Sequence, residues 1–592
     1  MPLSNASEPW WRRSVVYQIY PKSFKDSDGD GIGDLKGIRS KLNYIKQLGV
    51  DAIWITPIYD SPMRDNGYDI RDYYKIFPPF GTMEDFDDLL KTAHDMELRI
   101  ILDLVVNHTS TEHAWFQKSR LRKLNNHYRD YYIWRDGKNG EPPNNWESKF
   151  GGSAWAYDPN SGQYYLHLFD ETQADLNWEN EEVRSKVREI MRYWLDKGVD
   201  GFRMDVINLI SKDQRFPDDD HGDGRRFYTD GPRVHEFLKE LNEKVFSRYN
   251  TFTVGEMSST SVPSCIKYSN PDNKELNMTF NFHHLKVDYA GGKKWVHAEV
   301  DFIALKRVLT FWQVGMHGGG GWSAVFWGNH DQPRPLSRYG DDTKYHLKSG
   351  KMLATVVHML RGTPFIYQGE EIGMTNPCFK DINSFRDVET INVYRQLTAR
   401  GILKEEALSI IRSKSRDNAR TPMQWDESKY AGFGTEEPWI EVARNYKEIN
   451  VRNALKDTES IFYHYQKLCS LRKTYDVIVH GDYRLLLSDN PEIFAFVRRY
   501  ENEQLLVLNN FYGNDTIFNL PPESGMKADK GSIIISNYSD SPSNFMCVNL
   551  RPYESIVYLV NLSPEQMYTG SKILVEGSPY SFVKQHKYQG EM

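Results

Sequence analysis

Cysteine is scarce in this chain. Four occur in 592 residues, Cys265, Cys378, Cys469 and Cys547, far apart in sequence. That spacing excludes a disulfide-rich scaffold and the short Cys/His spacings that ligate zinc, so they read as reduced thiols. Long apolar runs are also missing. Nowhere do roughly 18 apolar residues follow one another, which excludes a membrane-spanning helix of ordinary composition. The opening MPLSNASEPWWRR holds no apolar stretch that could act as a signal peptide. Positive charge is not in excess: 74 Lys and Arg stand against 81 Asp and Glu, a net charge of −7. Non-specific binding to nucleic acid or to a membrane surface is therefore not expected, and an anionic ligand would need a local basic pocket. Several N-x-[ST] triplets occur, but Asn107 and Asn277 lie in segments that read as buried strands. A cytoplasmic, monomeric protein acting on a small molecule is the expectation.

What is abundant is aromatic. Phe, Trp and Tyr make up 14% of the chain. Their faces stack on sugar rings, although large aromatic cores explain the same share. The length calls for two or three domains.

From Val15 onward, short apolar runs alternate with stretches of helical period. The runs are VVYQIYPKSF (15–24), DAIWITP (51–57), RIILDLVVNH (99–108), GFRMDV (201–206), TFTVGEM (251–257), NMTFNF (277–282), VFWGNHD (325–331) and PFIYQGEEIG (364–373). Between them, helices are predicted at 35–48, 84–96, 181–197, 232–247, 301–316 and 348–360. The strands are nearly all apolar, as in a sheet covered on both faces. Eight of them with helical crossovers predict an α/β fold, a closed (β/α)8 TIM barrel. Periodicity breaks over 109–178, which reads as an inserted irregular subdomain. The barrel is thus expected over 1–108 and 179–482. Short β-like runs over 483–560 predict an antiparallel, sandwich-like domain. The polar stretch 561–592 reads as a surface extension without an assigned role.

Carboxylates recur where these strands end: Asp103, Asp205, Glu256 and Asp331. In a barrel those ends converge on one face, where active sites sit. One acid at a strand end is usually a cap or an ion-pair partner. Four, accompanied by His108, Arg203 and His330, are harder to explain that way. Glycosidic cleavage needs one ionised carboxylate to attack the anomeric carbon and one protonated carboxyl to release the leaving oxygen. Arg203, two residues before Asp205, is expected to keep Asp205 ionised. Glu256 sits in the apolar context Val254-Gly255-Glu256-Met257 and is expected to hold its proton. Asp331 is suited to stabilising positive charge on the ring. A metal site built from these His and Asp residues lacks clustered ligand spacing.

DLVVNH (103–108), GFRMDV (201–206), GEM (255–257) and WGNHDQPR (327–334) resemble the four signature segments of the α-amylase superfamily, glycoside hydrolase family thirteen. QADLN (173–177) resembles the segment marking its oligo-1,6-glucosidase branch. With DNGYDI (65–70) and SRDNARTPMQW (415–425), the similarity runs to about residue 560. The resemblance implies a retaining double displacement by Asp205 (nucleophile), Glu256 (acid/base) and Asp331. It also implies a closed glucose pocket formed by Asp65, Tyr68, His108, Phe150, Phe169, Gln173, Arg203, His330 and Arg416, and hence exo action on small sugars.

Val206 is the type found after the nucleophile in branch members that avoid α-1,4 bonds, although a β-branched strand residue needs no such reason. NNWESKFGGSAW (144–155), FPDDDHGDGRRFYTDGPRVHEFL (216–238), GEMSSTS (255–261) and TFNFHHLKVDYAGGKKW (279–295) resemble the branch hydrolysing trehalose 6-phosphate. A dianionic phosphate beside the leaving glucose then needs Lys or Arg. The candidates are Lys293 and Lys294 foremost, then Lys286, His284, Arg225, Arg226, Lys149 and His283. An oligo-1,6-glucosidase or sucrose-acting enzyme is the near alternative, and a non-catalytic barrel the remote one. No cofactor is expected for catalysis. DSDGDGIGD (26–34) offers Asp26, Asp28, Asp30, the Ile32 carbonyl and Asp34 to one cation, and the resemblance implies structural Ca²⁺ there. A polar turn is the plain alternative.

Overall fold

A computed structural model describes residues 8–562 apart from 122–125, 221 and 527, so nearly all of the expected extension 561–592 lies outside the described residues. Eight parallel strands run in the order Met278–Phe280, Phe252–Glu256, Gly201–Met204, Arg99–Leu104, Ala52–Ile55, Val16–Ile19, Thr363–Tyr367, Ala324–Val325. A parallel bridge between Thr279 and Ser323 joins the two outer strands and closes the barrel. The expected barrel is what the chain forms. Its strands are buried along almost their whole length, as sheets with helices on one face and a packed interior on the other require.

Several strands are shorter than the apolar runs that announce them. VFWGNHD (325–331) pairs only at its first residue, because the strand is Ala324–Val325. Asp205 and Val206 likewise lie beyond the strand Gly201–Met204, and Val206 adopts a left-handed backbone, φ 36°. The strand reading of Val206 is therefore corrected: the chain bends there and enters the short helix Ile207–Leu209. The 35–48 helix is two, Leu35–Ser40 and Leu42–Leu48, broken at Lys41, although Leu35, Ile38, Leu42, Ile45 and Leu48 still share one buried face. Helix Glu181–Lys197 matches its expected span. Asn180 caps its start and Gly198, at φ 108°, ends it.

The inserted segment is less irregular than its sequence suggests. Trp134–Arg135, Trp155–Asp158 and Gln163–Leu166 form a small antiparallel sheet, and Gln173–Asp175 pairs with His108–Ser110. Its core of Trp146, Trp155, Leu166 and Leu168 packs on Val206, Leu209, Phe216 and Tyr228, so the insert is seated on the loop leaving the fourth strand. After the eighth strand the chain makes a long excursion with helices Val388–Ala399 and Lys404–Lys414 before helix Ile461–Thr474. A five-stranded antiparallel sheet and a two-stranded pair occupy the chain from Arg484 to Asn561. Lys306 from helix Phe302–Gly318 fastens this region by donating to the carbonyls of Leu487, Asn490 and Ile493. Among the described residues no helix is long and apolar enough to cross a membrane.

Candidate active site

The strand register brings Arg203 level with Asp103 on one side and Val254 on the other. Its guanidinium is the hub of the barrel mouth. Nη1 donates to Asp103 at 2.7 Å and to Asp205 at 2.6 Å, and Nη2 donates to Glu256 at 2.6 Å. Asp205 and Glu256 thus share one planar cation. Two carboxylates gathered on one guanidinium are the kind of close pair that a retaining glycosidase uses. Asp103, fully buried behind Arg203 and bonded by Trp54 Nε1 and Tyr68 Oη, orients the hub rather than facing the cavity.

Burial pushes the Glu256 carboxyl up to about 7, against the pull of Arg203 and with the charge of Asp205 adding to the rise. Asp205 is also raised by burial, to about 6, because the attraction of Arg203 only partly offsets desolvation and the Asp103 charge. Arg203 alone therefore does not keep Asp205 in the ordinary carboxylate range. Asp331 lies at the other extreme. Despite burial, His330, Arg416 and Arg420 hold it far below the usual carboxylate value. Arg420 Nη2 donates to its Oδ1 at 2.6 Å and Arg416 Nη1 lies 3.5 Å away.

The predicted glucose pocket assembles around these acids. His330 Nδ1 accepts from Gln18 Nε2 at 2.8 Å, which leaves Nε2 to carry the proton, without a partner. Burial holds His330 near 3 and lowers His108 too, so both rings are neutral at neutral pH; His330 Nε2 is free to donate to a sugar hydroxyl, whereas His108 Nε2 donates to the Tyr68 carbonyl at 3.0 Å. Tyr68 stacks on His330 with ring centroids 5.2 Å apart. Gln173 Nε2 reaches Asp65 at 3.1 Å and His108 at 3.2 Å. Arg416 bonds Asp65 at 3.2 Å and lies over the Phe150 ring, which meets Phe169 edge-on. Every residue expected at the glucose therefore lies in one connected network. Asp387, which takes two bonds from Arg416, and Arg420 went unrecognised in the sequence. Asp387 belongs to none of the recognised segments, whereas Arg420 stands inside SRDNAR and its spacing from Arg416 was a usable signal.

The basic candidates divide. Lys149 Nζ donates to Ser258 Oγ at 3.0 Å, two residues past Glu256. Burial and the nearby charges of Arg225 and Lys286 lower Lys149 to about 7. Lys286 is lowered by burial and by Arg225. His283, half-buried with Nδ1 unpartnered, feels Lys286, while His284 packs inward, edge-on to Phe326. Lys294 is already paired. Its ammonium pairs with Glu389 at 2.8 Å in the network around Arg416. Lys293 is exposed, and Arg226 pairs with Asp219 and Asp220. Of the basic candidates, Lys149, Lys286 and Arg225 are those whose charges act on one another.

Remote from this site, Asp26, Asp28 and Asp34 each bring a carboxylate oxygen within 4.8 Å of the others. Asp30 is exposed and stands outside this group, its Oδ1 accepting from the Ile32 amide.

Residues 18–481 match the family Alpha amylase, catalytic domain, and residues 493–557 match the Alpha-amylase SusG C-terminal domain. Trehalose-6-phosphate hydrolase of Bacillus subtilis (strain 168) is 60% identical over 551 residues, covering 93% of this chain and 98% of that protein. An oligo-1,6-glucosidase of Halalkalibacterium halodurans is 52% identical, over 93% and 99%. The crystal structure of Bacillus licheniformis trehalose-6-phosphate hydrolase superposes with a TM-score of 0.91 at 60% identity, covering 94% of this chain and all of that one. The chain is a glycosidase and belongs to the α-amylase family of glycoside hydrolases.

Proposed function

We propose that this enzyme hydrolyses trehalose 6-phosphate to glucose and glucose 6-phosphate with retention at the cleaved anomeric carbon. Asp205 attacks that carbon while Glu256 gives its proton to the leaving oxygen. Glu256, now ionised, then takes a proton from the water that releases glucose from Asp205. Asp331, permanently ionised, supports the positive charge that develops on the ring. His330, Asp65 and Arg416 supply hydroxyl partners, and Phe150 and Phe169 close the pocket over a terminal sugar.

One observation carries the substrate. The Lys149 amine feels Arg225 and Lys286 as well as the carboxylates of Glu256 and Asp223, and Asp223 stands 3.7 Å from Arg225. The mutual repulsion of the three cations is what a bound dianion relieves, and the side of Glu256 is where the leaving glucose must lie. A plain isomaltose or sucrose gives these cations nothing to bind.

Charge-assisted hydrogen bonds contribute about 1.5–3 kcal/mol each, so two of them favour the phosphorylated sugar by roughly 100-fold or more in kcat/KM. The test is a panel of trehalose 6-phosphate, trehalose, isomaltose and sucrose. Equal or better turnover of isomaltose would instead make the enzyme an oligo-1,6-glucosidase.

Asp26, Asp28 and Asp34, with the Ile32 carbonyl, have the hard oxygen chemistry that fits Ca²⁺. Bound there, the ion would brace the loop after the first strand and take no part in the reaction.

A further inference from the structure

Asp205 follows, and Glu256 ends, two neighbouring strands, and their function depends on the spacing between the turns that leave each strand. Asn208, fully buried, joins those two turns. It lies in the short helix Ile207–Leu209 just past the nucleophile. Its Oδ1 accepts from the Ser258 amide at 3.0 Å, and its Nδ2 donates to the Ser258 carbonyl at 2.9 Å. Both backbone groups of one residue are thus held by one side chain, a two-point grip that fixes direction as well as distance. The same Nδ2 donates to Asp230 Oδ1 at 3.0 Å, and Asp230 also accepts from Tyr268 Oη at 2.7 Å, which ties the grip to helix Val262–Ser269.

The surroundings are held in costly backbone conformations. Val206, Asp230 and Ser259 all have positive φ (36°, 49° and 54°), and none is glycine. Val206 in that conformation turns its amide onto Glu256 Oε2 at 3.1 Å. The third attachment of Ser258 is its hydroxyl, which accepts from Lys149 of the cationic cluster. The chain of contacts therefore runs from the nucleophile turn, through Asn208, to the residue that bears the acid/base turn and one of the phosphate-facing cations.

We propose that Asn208 is a positioning residue that sets Glu256 against the scissile oxygen through Ser258, and that Lys149 couples recognition of the leaving group's charge to the same grip. The coupling rests on the phosphate reading above; the Asn208 grip does not. Asn208 touches no substrate. Its loss frees the turn that follows Glu256, so the proton donor is left with only its contacts to Arg203 and the Val206 amide, while the contact of Asp205 with Arg203 is untouched.

The test compares full-length Asn208→Ala with the unaltered enzyme on two substrates: trehalose 6-phosphate, whose sugar leaving group needs protonation, and 2,4-dinitrophenyl α-glucoside, whose leaving group does not. General acid catalysis contributes about 10²–10⁴-fold. The expected result is a fall of roughly 100-fold in kcat/KM on the natural leaving group and a change of only a few-fold on the activated one. Azide should then restore kcat on the aryl glucoside by intercepting the glucosyl enzyme, the signature of a misplaced base. Equal losses on both substrates, or no loss, overturn the proposal. If Asn208→Ala does not fold, Asp230→Asn loosens the same grip from behind and must show the same leaving-group dependence. Ser258→Ala removes only the Lys149 attachment. It is expected to raise KM for trehalose 6-phosphate several-fold with KM for aryl glucosides unmoved, and equal effects on both discard the coupling. Should the unaltered enzyme show no preference for the phosphorylated sugar, the substrate reading fails. Aryl glucosides of graded leaving-group acidity then still decide the role of Asn208.

Discussion

Asp205 and Glu256 occupy the same buried cluster and must hold opposite protonation states at the same pH. Burial raises both, but Glu256 stands near 7 and Asp205 near 6. Below about 6 the nucleophile gains a proton and activity falls; above about 7 the acid loses its proton and activity falls again. A narrow bell in kcat/KM is predicted, and a broad plateau from pH 5 to 9 would contradict it. Asp205→Asn is expected to lower turnover by at least about 10⁴-fold without shifting the thermal midpoint, because the amide keeps the shape and one acceptor for Arg203. Lys149 adds a second pH effect. Its ammonium is lost as pH rises through about 7 in the empty site, so KM for trehalose 6-phosphate should climb above neutrality while KM for aryl glucosides stays flat. Lys149→Met with Lys286→Met should raise KM for the phosphorylated sugar roughly 10–100-fold and leave the aryl glucoside KM within a few-fold.

At the scale of elements, the barrel strands and the helix Glu181–Lys197 were legible because their apolar pattern and caps are local properties. The acids at the strand ends were legible for the same reason: a carboxylate after an apolar run is visible without any fold. What surrounds them was not. Asp387 reaches Arg416 across 29 residues within the excursion after the eighth strand, and Asn208 meets Ser258 across 50 residues between adjacent strand ends, contacts that only the folded chain creates. Counting lysines near a strand end could not separate Lys294, paired by Glu389, from Lys149, which the insert carries back over Ser258. The antiparallel sheet in the insert escaped notice because its strands are two to four residues long. The acidic loop 26–34 yields a prediction of its own. Chelation by EGTA, or Asp26→Ala, should lower the thermal midpoint by several degrees and leave kcat at 25 °C unchanged. An unchanged midpoint in excess Ca²⁺ and in EGTA would remove the ion from the loop.

For the whole molecule, three layers of positioning meet at one place. The barrel sets the carboxylates, the insert brings Lys149, Phe150 and Phe169 down onto them, and the excursion after the eighth strand supplies Arg416 and Arg420 from the other side. In the function proposed here, access is thereby limited to a terminal glucose, and the charge on the leaving sugar meets the cations near Glu256. The most direct measurement is the crystal structure of the Asp205→Asn variant with trehalose 6-phosphate bound. The account predicts the unphosphorylated glucose enclosed by His108, His330 and Arg416, the bridging oxygen at Glu256, and the phosphate against Lys149, Lys286 and Arg225. A phosphate seated at Lys293 and Lys294, or the disaccharide bound the other way round, would contradict it.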